Sequence, residues 1–239
     1  MRFICALLLL ITLKSSAQYP FEKYRPMRYD TISIKSIGEN SYDHYKGFKR
    51  EAFYKDYKIV FLGDSDRLAD SSNILLYHHN YLIKKVKTEA SVNNDFFNEP
   101  IRVGDIDGNG NLDFKIVIWN NGCGAAGDYA VKIYLINRGK DIFSSFSFFD
   151  LYNNVERDFD NNGKHEIVGQ VYQQYKLHAY YIFDIYSIKN GQLVNVSNKY
   201  NYPIVVKDLW DPTYKVTHKI PKAALLKLSS KFPTDYVHD

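Results

Sequence analysis

The sequence predicts an all-β fold built from repeated units, with a short helix near the end of the chain. Three observations carry this. Short runs alternate apolar and polar residues from Thr31 to Val196, and alternation marks strands with one buried face. The chain holds 21 tyrosines and 15 phenylalanines, which suit sheet faces because the ring packs while the tyrosine hydroxyl reaches water. An acidic nine-residue segment occurs twice, at 105–113 and 158–166, in copies 53 residues apart.

The first seventeen residues read as a secretory signal peptide. Arg2 gives the positive start, Ile4 to Leu13 the apolar run, and Ser15-Ser16-Ala17 the small-residue exit. The run is too short to span a bilayer, and no later stretch is long enough. Cys5 precedes the apolar run, the wrong side for lipid attachment. Cleavage after Ala17 predicts an exported protein, in the periplasm, at the cell surface or secreted. It removes Arg2 and Lys14, so the formal charge falls from +4 to +2. No basic face is concentrated enough for nucleic acid or anionic membrane. Cys123 is then the one cysteine left, so no internal disulfide forms and metal sites are expected to supply bracing.

Residues 18–30 carry two prolines and no periodicity, and read as an extended arm. Residues 31–239 suffice for one β-repeat domain. Its strands are TISIKSI, YKIVFL, ILLYHHNYLIKKV, FKIVIW, AVKIYLI, HEIVGQVY, AYYIFDIYSI and QLVNV, punctuated by Gly, Asn and Asp. Pro221 followed by Lys-Ala-Ala-Leu-Leu-Lys-Leu predicts the helix, with proline in its first turn.

The repeat extends past the acidic segment. Tyr134 lies 29 residues after Asp105 and Tyr186 lies 28 after Asp158, and each begins a strand end that closes on a glycine turn. Two units, 101–154 and 155–204, therefore follow one plan of loop, strand, strand, turn, strand. Their length of about fifty residues is that of a propeller blade. YKDYKIVFL with Tyr77 reads as an earlier unit whose acidic loop has degenerated. About four units would fit the chain, giving β-propeller-like repeats in a small or incomplete propeller.

Both acidic segments place oxygen side chains at positions 1, 3, 5 and 9 and glycine at position 6. A hard cation such as calcium takes six to eight oxygen ligands, and a tight turn supplies several from one segment. An EF-hand is excluded. It needs glutamate at position 12, which here would be Ile116 and Gly169, and helices where strands are predicted. Ile106 and Phe159 at position 2 are expected to point into the core.

The loop resembles the FG-GAP or VCBS-type calcium repeat of integrin α-chain propellers and exported bacterial proteins. By that resemblance the first site uses Asp105, Asp107, Asn109, the carbonyl of Asn111, and Asp113. The second uses Asp158, Asp160, Asn162, the carbonyl of Lys164, and Glu166. Glu166 departs from the usual aspartate and Lys164 opposes a cation, so the first site is the better formed. The resemblance implies Ca2+ at one or two sites and binding of a protein or glycan. Inhibition of cell-wall lytic enzymes occurs among small exported proteins with this pattern.

Other motifs have plainer readings. Gly122-Cys-Gly-Ala-Ala-Gly127 fits a dinucleotide fingerprint, but AVKIYLI follows where a helix is required, so it reads as a glycine-rich connection. No local base or cation would activate Cys123. Lys58 to Ser65 and Asp235 to His238 resemble the first and last blocks of GDSL (SGNH) esterases, with Ser65, His238 and Asp235 as the relay. The intermediate Gly-x-Asn-Asp block is missing, since Val92-Asn-Asn-Asp95 lacks the glycine, and the intervening region is β-rich. His78 and His79 are expected on opposite faces of a strand, which argues against a shared metal. Lys84-Lys85-Val86-Lys87 reads as a solvated strand edge. The expected function is therefore non-catalytic binding of an extracytoplasmic protein or glycan by a calcium-braced repeat protein. An esterase and a purely structural scaffold are the alternatives.

Overall fold

The computed structural model describes residues 19–36, 49–63, 72–88, 99–121, 128–150, 155–176, 178–207, 220–221, 223–225 and 237–238. The signal-peptide segment, the 122–127 connection with Cys123, Val92 to Asp95, Ser65 and Asp235 lie outside the described residues.

Alternating sequence becomes antiparallel sheet throughout, so the fold is all-β. The arm and the TISIKSI stretch after it hold three short strands: β1 (Arg25–Pro26), β2 (Asp30–Ile32) and β3 (Lys35–Ser36). A first four-stranded meander follows: β4 (Lys49–Tyr54), β5 (Tyr57–Gly63), β6 (Ser72–His78) and β7 (Tyr81–Thr88). The second is β8 (Ile101–Gly104), β9 (Asp113–Asn121), β10 (Asp128–Asn137) and β11 (Phe143–Asp150). The third unit is β12 (Arg157–Asp158), β13 (Ile167–Tyr175), β14 (His178–Lys189) and β15 (Gln192–Asn195); β13 to β15 form its sheet, and β12 reaches that sheet through an isolated bridge from Arg157 to Glu166. β16 (Ile204–Lys207) also pairs with β14, and β17 (Val237–His238) adds an edge strand to β7.

The two acidic segments occupy the same place, between first and second strands of the second and third meanders. In the first meander the two-residue turn Lys55–Asp56 stands there instead. Tyr77, Tyr134 and Tyr186 all fall on third strands. The described residues contain three such units, against about four expected from length, and their sheets close no propeller ring.

The arm does more than extend. With the TISIKSI stretch it supplies three strands that pair antiparallel with the first strand of each unit in reverse order: β1 with β12, β2 with β8, and β3 with β4. Arg157 Nη1 donates to the carbonyls of Glu22 and Tyr24 at 2.9 and 2.8 Å. Tyr19 and Phe21 are buried and pack on Phe183, with ring centroids 4.9 and 5.3 Å away. One short segment thus ties all three units together.

The units stack face to face. Ile59, Phe61, Ile74 and Leu76 of the first meet Ile116, Ile118, Ile133 and Leu135 of the second. The other face of the second unit, through Tyr134, Ile136, Phe146 and Phe148, meets Ile167, Tyr186 and Ile188 of the third. Both faces of the second sheet are therefore covered. Residues 223–225 are helical, Pro221 accepts the Ala224 and Leu225 amides at 2.9 Å, and the turn packs on Ile182 and Val205. No helix among the described residues is long and apolar enough to cross a membrane.

Candidate metal centres in the two acidic loops

The two loops share one hydrogen-bond plan. The position-1 carboxylate accepts the amides of positions 5 and 6: Asn109 and Gly110 donate to Asp105 at 2.9 Å each, and Asn162 and Gly163 to Asp158 at 3.0 and 2.9 Å. The position-5 side-chain oxygen accepts the position-7 amide, Asn111 to Asn109 and Lys164 to Asn162, both at 2.8 Å. The position-9 carboxylate accepts the position-2 amide, Ile106 to Asp113 at 2.8 Å and Phe159 to Glu166 at 3.1 Å.

The backbone repeats as well. Positions 4 and 6 are left-handed in both loops, with φ of +68° and +85° at Gly108 and Gly110, and +57° and +83° at Asn161 and Gly163. A Cβ on Gly110 or Gly163 would meet nothing within 4 Å. The glycines at position 6 thus serve the backbone angle rather than space. Ile106 and Phe159 are buried, as expected of the position-2 anchors. The loops also touch each other. His165 donates its amide to the Ile106 carbonyl at 3.0 Å, and the Lys164 stem lies over Gly108.

This plan gathers carboxylates. Oxygens of Asp105, Asp107 and Asp113 lie within 4.8 Å of one another, and so do oxygens of Asp158, Asp160 and Glu166. An all-oxygen donor set of this charge fits calcium. The remaining predicted residues sit in the same loops. Asn109 Nδ2 donates to Asp107 Oδ2 at 3.1 Å and to the Asn137 carbonyl at 2.7 Å, and Asn111 Nδ2 to Asn109 Oδ1 at 2.8 Å. Burial pushes Asp113 up to about 7, although the Asn137 and Ile106 amides oppose it. Burial also raises Asp107 and Glu166. Each raised carboxyl is one whose charge is incompletely balanced within its loop.

The loops differ in what stands over them. In the second, a 3-10 turn over Ser197–Tyr200 brings Lys199 Nζ to Asp160 Oδ2 at 2.5 Å. The Tyr200 hydroxyl bridges Asp160 and Glu166 at 3.2 and 3.3 Å. The bond from Lys199 holds Asp160 below the usual carboxylate range. In the first loop the second oxygen of Asp113 instead takes the Asn137 amide at 2.8 Å. The second loop thus carries a tethered ammonium, a feature 33 residues downstream of Glu166 that spacing within the loop could not reveal.

A buried ionic cluster escaped the sequence reading. Lys115 Nζ lies 2.9 Å from Glu156 Oε1, and both side chains are 0% exposed. The hydroxyls of Tyr29 and Tyr134 donate to the same carboxylate. Lys132 is also fully buried and donates to the Val168 carbonyl at 3.3 Å. Burial alone would raise Glu156, but Lys115, then Lys132 and the two hydroxyls, hold it down to about 2. Burial pushes Lys115 down to about 8, so the pair is ionised at neutral pH. The cluster joins the arm, the second sheet and the entry to the third unit. The available signal was a lone lysine inside each of two apolar strands.

The esterase relay is only partly in view. Val237 and Gly63 lie in line across β17, β7, β6 and β5. Three interstrand steps, about 14 Å, separate them. His238 pairs by its backbone with Lys87.

No protein-family model, no curated protein and no solved structure matches this chain.

Proposed function

We propose that this chain is an exported calcium-binding β-repeat protein, of the FG-GAP or VCBS type, that acts as a non-catalytic binding module for an extracytoplasmic protein or glycan. The observation that carries the proposal is the hydrogen-bond plan common to both loops, which draws three carboxylates together in each. Three carboxylates in one turn repel one another, and a divalent cation converts that repulsion into a brace between two strands. The first loop is the principal site. Asp105, Asp107, Asn109 and Asp113 supply side-chain oxygens and Asn111 its carbonyl. In the second loop, Asp158, Asp160, Asn162, Glu166 and the Lys164 carbonyl form the same set, but Lys199 competes for it.

On the partner side, Phe53, Tyr81 and Leu82 of the first unit are 53%, 77% and 52% exposed and offer apolar contact area. A cell-wall lytic enzyme belongs to the partner class this reading admits. The all-β meanders do not supply the α/β sandwich of the GDSL esterases.

The test is a thermal melt with calcium and with chelator, on the protein and on Asp105→Ala/Asp107→Ala. Calcium at about 100 times its dissociation constant adds about 2.7 kcal/mol, or roughly 5–11 °C in a domain of this size. The proposal expects that rise in the wild type and its reduction or loss in the variant. No calcium effect on either protein overturns it. Hydrolysis of p-nitrophenyl acetate above the buffer rate, abolished by Ser65→Ala, would overturn the non-catalytic part.

A further inference from the structure

The turn end of the first unit carries a separate set of ligand-type side chains, with nitrogen donors that the two carboxylate clusters lack. β6 ends at His78, and His79-Asn80 makes the turn into β7. Their φ values are +47° and +67°, as two-residue hairpin turns require. Strand alternation fails here because His79 has already left the strand. Its ring stacks on that of His78 at 4.2 Å, with planes 29° apart. The neighbouring turn brings Asp56 alongside. Its carbonyl accepts the His79 amide at 3.1 Å, and its carboxylate lies 4.0 Å from His79 Nδ1. One donor atom each from Asp56, His78 and His79 lies within 4.8 Å of the others.

His78 is the fixed member. Its ring stacks on Tyr57 at 4.3 Å and 9°. Its Nδ1 lies 2.7 Å from Asp141 Oδ2, while the Tyr57 hydroxyl donates to Asp141 Oδ1 at 3.0 Å. An ionised carboxylate only accepts hydrogen bonds. Nδ1 therefore carries the hydrogen, which leaves Nε2 as the nitrogen to meet a cation. A carboxylate behind an imidazole is the outer support that metal-binding histidines use.

We infer that Asp56, His78 and His79 form a binding site for a borderline divalent cation of the zinc class, with Asp141 as a positioning residue. Two imidazoles and one carboxylate suit such an ion, whereas calcium prefers oxygen. Tetrahedral zinc with bonds of about 2.0 Å sets its donors about 3.3 Å apart, so donors that lie within 4.8 Å of one another close by no more than about 1.5 Å. That movement falls on Asp56 and His79, whose side chains are 65% and 63% exposed and sit on turns. Water takes the fourth position.

The site shares no residue with the calcium loops, so the two readings fail separately. The experiment is a calorimetric titration of the protein with zinc chloride in calcium-saturated buffer. One zinc is expected to bind, and to bind equally well in Asp105→Ala/Asp107→Ala. His78→Gln/His79→Asn is expected to lose it with the far-ultraviolet circular dichroism unchanged, because asparagine keeps the left-handed turn. Asp141→Asn is expected to weaken binding about 10–100-fold. No zinc binding at micromolar concentration, or binding retained in the double histidine variant, overturns the site. Wild-type affinity in Asp141→Asn overturns the positioning role.

Discussion

Replacing Glu156 with glutamine takes a negative charge out of a place that water does not reach. Three donors converge on this carboxylate: the Lys115 ammonium and the hydroxyls of Tyr29 and Tyr134. A carboxylate accepts from all of them. An amide offers one oxygen and turns its NH2 toward a donor. The Lys115 ammonium also loses its nearest countercharge, in a place where both side chains are 0% exposed. Removing one partner of a buried pair costs about 3–5 kcal/mol. At about 2–4 °C per kcal/mol for a domain of this size, the melting temperature should fall by roughly 6–20 °C. Thermal melts followed by circular dichroism measure this. Tyr29→Phe, which removes one donor to a charged group, should cost about 1.5–3 kcal/mol. Lys115→Met/Glu156→Leu removes both charges and should recover much of the loss, since hydrophobic replacement of a buried pair is often neutral. A Glu156→Gln protein melting within about 2 °C of wild type would refute the reasoning.

Three further outcomes are expected. Glu156 is held down to about 2 from an ordinary value of 4.5, so its stabilisation is complete above the ordinary value and disappears as pH falls from there toward about 2. Acid denaturation profiles of Glu156→Gln should lack that limb, and superimposable profiles would contradict it. Lys199→Met removes the ammonium bonded to Asp160 and should strengthen calcium binding at the second loop by about tenfold, read by calorimetry, where an unchanged isotherm counts against a competing lysine. Gly110→Ala places a side chain at φ +85° in open space and should cost about 1–2 kcal/mol, with Gly110→Asn costing less. Equal melting temperatures for Gly110→Ala and wild type would show that the loop does not depend on the left-handed turn.

Much of the fold was legible because strands with a wet face write themselves as alternation. The two loops were legible because one turn chemistry recurs at fixed offsets, and position 2 proved buried in both copies. What was hidden lay where a face assumed to be wet is covered. FKIVIW and AVKIYLI alternate, yet Lys115 and Lys132 are buried because the third unit covers the second face of their sheet. The arm gave no period because β1 is two residues long, and TISIKSI, expected as one strand, divides into β2 and β3, which join different units. His78 and His79 were assigned opposite faces by a strand rule that stops applying at the turn. Lys199 was invisible because its effect on Asp160 is tertiary.

The most direct test of the central claim is the calcium stoichiometry of the first loop, from calorimetric titration of wild type and Asp107→Ala. The account predicts a calcium site in the wild type that Asp107→Ala loses, together with weaker uptake, or none, at the second loop. Equal calcium binding in the two proteins, or none in the wild type, would contradict it and leave 105–113 a polar turn.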